Sequence, residues 1–169
     1  MNTYRPLPAP TQALALLLWL SLAFFTAAVG AIASVTAASF YAELVRPSWA
    51  PPAWLFGPMW STLYTLMGVA AWLVWRQGRL QGTATKNALT LFVVQLAVNA
   101  LWSWLFFAWR LGAWSFAEII VLWVMILATL VSFYRVNRLA GLLLVPYLAW
   151  VTLATALTFS VWRANPGLL

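Results

Sequence analysis

The chain has 169 residues, of which 65% are hydrophobic and only 7% charged, far below the roughly 25% charge of ordinary soluble domains, so a soluble globule is excluded and a lipid bilayer is the expected solvent. It contains no Cys and no His, which removes disulfides, thiolate chemistry, imidazole acid–base catalysis and the commonest metal ligands together. The net charge of +7 comes from Lys and Arg standing singly between apolar blocks, with no tract for a nucleic-acid backbone to follow.

The hydrophobic residues fall into blocks near the ~20 residues that cross a bilayer core. They predict an all-α membrane protein, a single domain over 1–169 built as a five-helix bundle with spans at about 13–34, 54–75, 87–109, 114–133 and 140–162. Each is read as helix because lipid forces the backbone to satisfy its own hydrogen bonds. The first block ends in Ala31-Ile32-Ala33, which resembles a signal-peptidase site, but its apolar run is longer than the ~7–15 residues of a signal core, so it is taken as a retained span. Ala23, Ala27 and Ala31 recur every fourth position and form a smooth stripe suited to close packing against another helix.

Residues 35–53 are too polar and proline-rich to cross, and are expected to form a structured loop at the interface. Pro47, Pro51 and Pro52 restrict that loop and so fix Trp49 and Trp54. Pro58, a little inside the second span, should bend or loosen it. Trp60 and Tyr64, four residues apart, share one face of that span.

Between the second and third spans, Gly78 and Gly82 form a GxxxG surrounded by Arg79 and Gln81, read as loop and not as a helix-pairing motif. In the third span Gln95, Asn99 and Trp102 fall at i, i+4 and i+7, which aligns two amides and an indole. Amides are costly against lipid and turn inward, either to bond neighbouring helices or to meet a ligand. In the fourth span Glu118 is the one intramembrane carboxylate, able to snorkel or to meet Arg110. In the fifth, Pro146 is expected to open the helix just before Tyr147 and Trp150, with Ala154 providing space one turn further on.

These stripes together predict a hollow rich in indole and phenol rings, suited to a flat and largely apolar ligand, with Arg46 near its mouth to pair with carboxylates. For topology, Arg5, Arg76, Arg79, Lys86, Arg135 and Arg138 lie on the side of the N-terminus, against Arg46, Arg110 and Arg163 on the other. That asymmetry puts the N-terminus in the cytoplasm if the membrane is a bacterial inner membrane; an outer membrane is the alternative. Trp54, Trp75, Trp109, Trp114 and Trp162 at span ends read as interfacial anchors.

Three blocks, RPSWAPPAWLFGPMWSTLY, QLAVNALWSWLFF and PYLAWVTLATALTFSVWRAN, resemble the translocator protein family, TspO, also called the peripheral-type benzodiazepine receptor family. The resemblance implies a five-helix bundle, often a homodimer, that binds porphyrins such as protoporphyrin IX and, in some members, sterols and isoquinoline or benzodiazepine drugs. No cofactor is required; the porphyrin is a ligand. Tyr41, Trp60, Tyr64, Gln95, Asn99, Trp102, Trp150 and Ala154 fall where family members line the pocket, and Trp60 and Trp150 match tryptophans associated with light-dependent porphyrin breakdown in some bacterial members.

The chain departs from the family in three places. Arg46 stands where lysine is usual, Thr158 where asparagine is common, and Phe159 where the cholesterol-recognition segment, here Leu157 to Arg163, has tyrosine. The loose sterol pattern matches instead at Val35, Tyr41 and Arg46 and at Leu130, Tyr134 and Arg138, which shows how little it proves. The leading expectation is a membrane receptor or carrier for a tetrapyrrole. A light- and oxygen-dependent porphyrin-degrading activity is the alternative, and a small proton-coupled exporter using Glu118 comes last.

Overall fold

The computed structural model describes residues 8–78 and 82–169; Arg5, Arg79 and Gln81 lie outside them. All regular structure among the described residues is helical: α1 (Ala9–Ala33), α2 (Ala37–Glu43), α3 (Ala53–Gly78), α4 (Thr83–Ser103) continued by a π-helical turn (Trp104–Ala108), α5 (Gly112–Val136), α6 (Arg138–Leu143) and α7 (Val145–Ala164). Every predicted span coincides with one of the long helices or, for the last, with α6 and α7 together.

Four segments among the described residues are long and apolar enough to cross a membrane: α1, α4 with its π turn, α5, and α6 with α7 as one rod. By length and composition these segments fit an integral, multi-pass membrane protein. Helix α3 has the length, at 26 residues, but Trp54, Pro58, Trp60, Tyr64 and several hydroxyl residues dilute its apolar character. Those hydroxyls find their hydrogen-bond acceptors within the helix itself. Ser61, Thr62 and Thr65 donate to the carbonyls of Gly57, Pro58 and Ser61 at 2.9, 3.0 and 2.8 Å, the back-bonding pattern of Ser and Thr in apolar helices.

Helical spacing sets which side faces inward. On α3, Leu63, Met67, Ala70 and Val74 are buried, and on α4 the same stripe carries Ala88, Phe92, Gln95 and Asn99. They close a core with Ile119, Leu122 and Ile126 of α5 and Tyr147 and Val151 of α7. Pro58 does not break α3, which runs continuously through it: the carbonyl it leaves unpaired lies in the first turn, where little helix is lost. Pro146 does mark a break, because the rod is interrupted at Leu144, whose N–H turns back to Gly141 O at 3.1 Å.

The expected loop 35–53 is part helix. Phe40, Tyr41 and Leu44 of α2 sit in a second apolar cluster with Phe106, Leu157 and Val161, so α2 is plugged into the outer end of the bundle. Asn165 ties the segment down. Its Oδ1 accepts from Val45 N at 2.8 Å, and its Nδ2 donates to Val45 O at 3.0 Å and to Val161 O at 2.7 Å.

The small-residue stripe of α1 divides. Ala23 is fully buried, while Ala27 and Ala31 border open space. The close approach lies lower and on a different residue: a Cβ on Gly68 of α3 would stand 3.0 Å from the backbone of Leu20. From that crossing towards α2 the two helices leave a gap between them. Gly78 ends α3 and Gly82 precedes α4; residues 79–81 of that GxxxG lie outside the described residues.

Candidate functional site

The gap between α1 and α3 is a hollow of about 480 Å³, roofed by α2 and backed by the end of α4, within the usual range for small-molecule sites, roughly 300–1,000 Å³. One wall is small: Ala27, Gly30, Ala31, Ala37, Ala38 and Gly57 contribute almost no side chain. Most of the rest of the lining is aromatic, made by Phe24, Tyr41, Phe56, Trp60, Tyr64, Trp102 and Phe107. A hollow lined by rings and small residues suits a planar apolar guest.

The rings are held by one another. Trp60 lies 5.5 Å from Tyr64 and 6.2 Å, edge-on, from Tyr147. Trp102 stacks on Phe106 at 5.1 Å and meets Phe107 edge-on at 5.7 Å. The π turn makes this clustering possible. Its wider winding, with Trp109 N bonded to Trp104 O at 2.8 Å, turns Phe106 and Phe107 towards α2, and such turns recur at functional sites.

Behind the aromatic wall is a buried polar network. Tyr64 Oη donates to Asn99 Oδ1 at 2.7 Å, and Asn99 Nδ2 and Gln95 Nε2 both donate to Tyr147 Oη at 2.8 Å. Tyr64 and Asn99 also border the hollow. Three groups here are buried without a hydrogen bond, the indole N–H of Trp102 in the wall, that of Trp150, and Gln95 Oε1, a condition buried polar groups rarely tolerate.

The roof is fixed by Tyr41. Its hydroxyl donates to Pro51 O at 2.8 Å, its ring packs edge-on against Phe56 at 5.4 Å, and the Arg46 guanidinium lies 4.5 Å above it. Burial pushes the phenol pKa up, and a hydrogen bond and charge from Arg46 oppose that shift without reversing it. The group therefore remains a neutral donor.

Of the residues singled out in the sequence, Tyr41, Trp60, Tyr64, Asn99 and Trp102 border the hollow. Gln95 and Tyr147 stand one layer back as hydrogen-bond partners. Trp150 is not in the wall either, because Phe56 occupies that place and meets it edge-on at 5.7 Å. Ala154 is likewise outside the lining. Pro51 is buried as the acceptor for Tyr41, and Arg46 stands at the edge on the Tyr41 ring.

Trp49 and Trp54 are 47% and 73% exposed and turn away from the hollow; the prolines fix the roof, not these two rings. The sterol segment does not share a face, since Leu157 points into the outer cluster while Phe159 is exposed beside Phe116 and Trp162. Arg163 caps Trp162 at 6.0 Å. Glu118 does not meet Arg110: both its carboxyl oxygens are buried without a hydrogen-bond partner, and Arg110 lies instead over Phe40 at 4.6 Å. No cluster able to hold a metal ion is present among the described residues.

Phe56, Phe107 and Asn165 were not foreseen. Phe56 and Phe107 belong to the same quoted blocks as Trp60 and Trp102, and Asn165 follows a span end, but no spacing rule distinguishes them from packing residues.

Comparison with known proteins bears on what such a site is for. The family model described as the TspO/MBR family matches residues 13–163. Protein CrtK of Rhodobacter capsulatus is 46% identical over 145 residues, covering 83% of this chain and 86% of that protein. The translocator protein of Homo sapiens is 42% identical over 130 residues, 76% of each chain. The tryptophan-rich sensory protein of Cereibacter sphaeroides is 38% identical over 151 residues, 87% of this chain and 92% of that one.

Proposed function

This chain belongs to the TspO/MBR family, and from that premise and the ring-lined hollow we propose that it is a membrane receptor or carrier for porphyrins of the protoporphyrin IX type. The observation that carries the reading is the convergence of Tyr41, Phe56, Trp60, Tyr64, Trp102 and Phe107 on one hollow under α2. With no His or Cys in the chain, recognition rests on stacking against the macrocycle, on the free indole N–H of Trp102 and on arginine at the rim, with no axial ligand to a central iron. The small wall of α1 also admits other flat apolar guests, including sterols and isoquinoline or benzodiazepine-like drugs.

The same reading takes α3 as the fifth span, since its exposed hydroxyls are satisfied within the helix. It also places the N-terminus in the cytoplasm of a bacterial inner membrane and pairs two copies as a homodimer. The test of the site is titration of the purified protein with metal-free protoporphyrin while following tryptophan fluorescence. Saturable quenching that an excess of a second planar ligand reverses supports the reading; quenching that is linear in porphyrin and unaffected by Trp60→Phe with Trp102→Phe refutes it.

Light-dependent breakdown of the porphyrin is the second reading, favoured by Trp60, an oxidisable ring in the wall in contact with Tyr64 and Tyr147. The chemistry there belongs to the excited ligand and to oxygen, and the protein contributes orientation. Illumination with and without oxygen separates the two, because a simple carrier returns its porphyrin intact.

A further inference from the structure

A second hollow of about 440 Å³ lies between α5 and α7 and shares no lining residue with the one between α1 and α3. Phe116, Ile120 and Trp123 of α5 form one bank, and Thr152, Ala156 and Phe159 of α7 the other. Each bank runs at i, i+4 and i+7, a single stripe along its helix. Ile120, Thr152, Ala156 and Phe159 are exposed, so the groove opens outward from the bundle.

The groove occupies one half of its two spans. Trp123 stands midway along Gly112–Val136 and Thr152 midway along Arg138–Ala164, and the other lining residues lie between these midpoints and the end of the bundle that α2 plugs. At about 1.5 Å per residue, the stretch from Thr152 to Arg163 covers roughly 16 Å, about one leaflet of a hydrocarbon core near 30 Å. Trp123 Nε1 donates to Thr152 Oγ1 at 2.8 Å and ties the two helices at the inner end. The hydroxyls of Thr152 and Thr155 donate to the carbonyls of Leu148 and Val151 at 2.8 and 2.7 Å. With every side-chain donor in the groove so used, the guest it admits is hydrocarbon.

The outer end carries a charge. Phe116 and Phe159 both meet the ring of Trp162, at 5.9 and 6.2 Å, and Trp162 is pressed against Gly112, where a Cβ would collide with it. Arg163 lies 6.0 Å from that ring, exposed and in no ion pair among the described residues. Four residues beyond Phe159, it continues the α7 stripe to the level of the headgroups.

We infer that the α5–α7 groove is a phospholipid site, in which one acyl chain lies between the two stripes and Arg163 pairs with the phosphate of an anionic headgroup. The inference is independent of the ligand proposed for the other hollow. Charge complementarity decides the occupant: a phosphate uses the guanidinium, whereas a sterol leaves it unpaired and finds no free donor for its hydroxyl.

The experiment is native mass spectrometry of the purified protein at low lipid-to-protein ratio, with phosphatidylglycerol and phosphatidylcholine of identical chains, and with cholesterol as competitor. It compares the unaltered protein with Arg163→Gln and Ala156→Phe. Ala156 is exposed in the groove, so the larger ring fills it without entering the core; Ala156→Leu is the milder filling should the thermal transition fall. The unaltered protein is expected to retain one phosphatidylglycerol with roughly fivefold preference over phosphatidylcholine. Arg163→Gln should abolish the preference, and filling the groove should abolish retention of both lipids. Equal retention by the filled variants places the lipid elsewhere and overturns the site. No preference in the unaltered protein overturns the role of Arg163, and displacement of phosphatidylglycerol by equimolar cholesterol makes the groove a sterol site and overturns the proposal.

Discussion

The hydroxyl of Tyr147 accepts from Gln95 Nε2 and from Asn99 Nδ2, each at 2.8 Å, so a single oxygen of α7 serves as acceptor for two amides of α4. All three residues are nearly or fully inaccessible, and in lipid no water replaces a lost partner. Through Asn99, which also accepts from Tyr64, this oxygen fixes the angle at which the aromatic wall faces the hollow.

Tyr147→Phe leaves both amides without that acceptor. The expected cost is about 1–2 kcal/mol, the low end for a buried unsatisfied group because membrane hydrogen bonds average less than their isolated strength. It is read as a lower thermal transition in detergent micelles, and an unchanged transition shows that the network contributes nothing to the bundle.

Asn165→Ala removes the bonds that hold Val45 to the end of α7. The loop carrying Arg46 and Pro51 should loosen while the transmembrane core persists. Hydrogen exchange at the Val45 amide is predicted to rise by more than tenfold, with core amides unchanged. Equal protection in the variant means that the loop is held by other contacts.

Tyr41 supplies a pH prediction. Its phenol is raised above the ordinary value of 10.0, so the neutral form that donates to Pro51 is favoured by folding. Its contribution is then fully present below about pH 10 and is lost only as pH rises through the raised value. Proteolysis of the 44–52 segment should accordingly be constant from pH 6 to about 9.5, and Tyr41→Phe should raise it at every pH in that range. A rise between pH 7 and 9 in the unaltered protein contradicts this.

Glu118 has no partner for either oxygen, and an unpaired carboxylate out of water is costly. Glu118→Gln keeps the shape and removes the charge. The thermal transition is expected to stay level or rise, and porphyrin affinity to stay within about twofold, since the side chain is outside the lining of the hollow. A marked fall in stability identifies a charge partner for this residue.

Much of this arrangement is legible in the sequence because helices impose a period. Trp60 with Tyr64, and Gln95 with Asn99 and Trp102, are spaced to share a face, and in lipid the polar member must turn inward. The fifth stripe was misplaced for a physical reason. Spacing aligns Tyr147, Trp150 and Ala154 with one another but says nothing about which neighbour stands before them, and Phe56 takes the wall position in front of Trp150. The helix in the roof was hidden by its polar and proline-rich surroundings. The π turn and the positive φ of Arg110 leave no signature that periodicity can detect.

The division of labour between Trp60 in the wall and Trp150 behind Phe56 is tested most directly by measuring protoporphyrin affinity, by fluorescence titration, in Trp60→Phe and Trp150→Phe separately. Trp60→Phe should weaken binding by roughly 3- to 10-fold, the worth of one aromatic contact, and Trp150→Phe should leave it within about twofold. Equal or larger weakening by Trp150→Phe, with Trp60→Phe unchanged, would place the ligand on the far side of Phe56 and contradict the account.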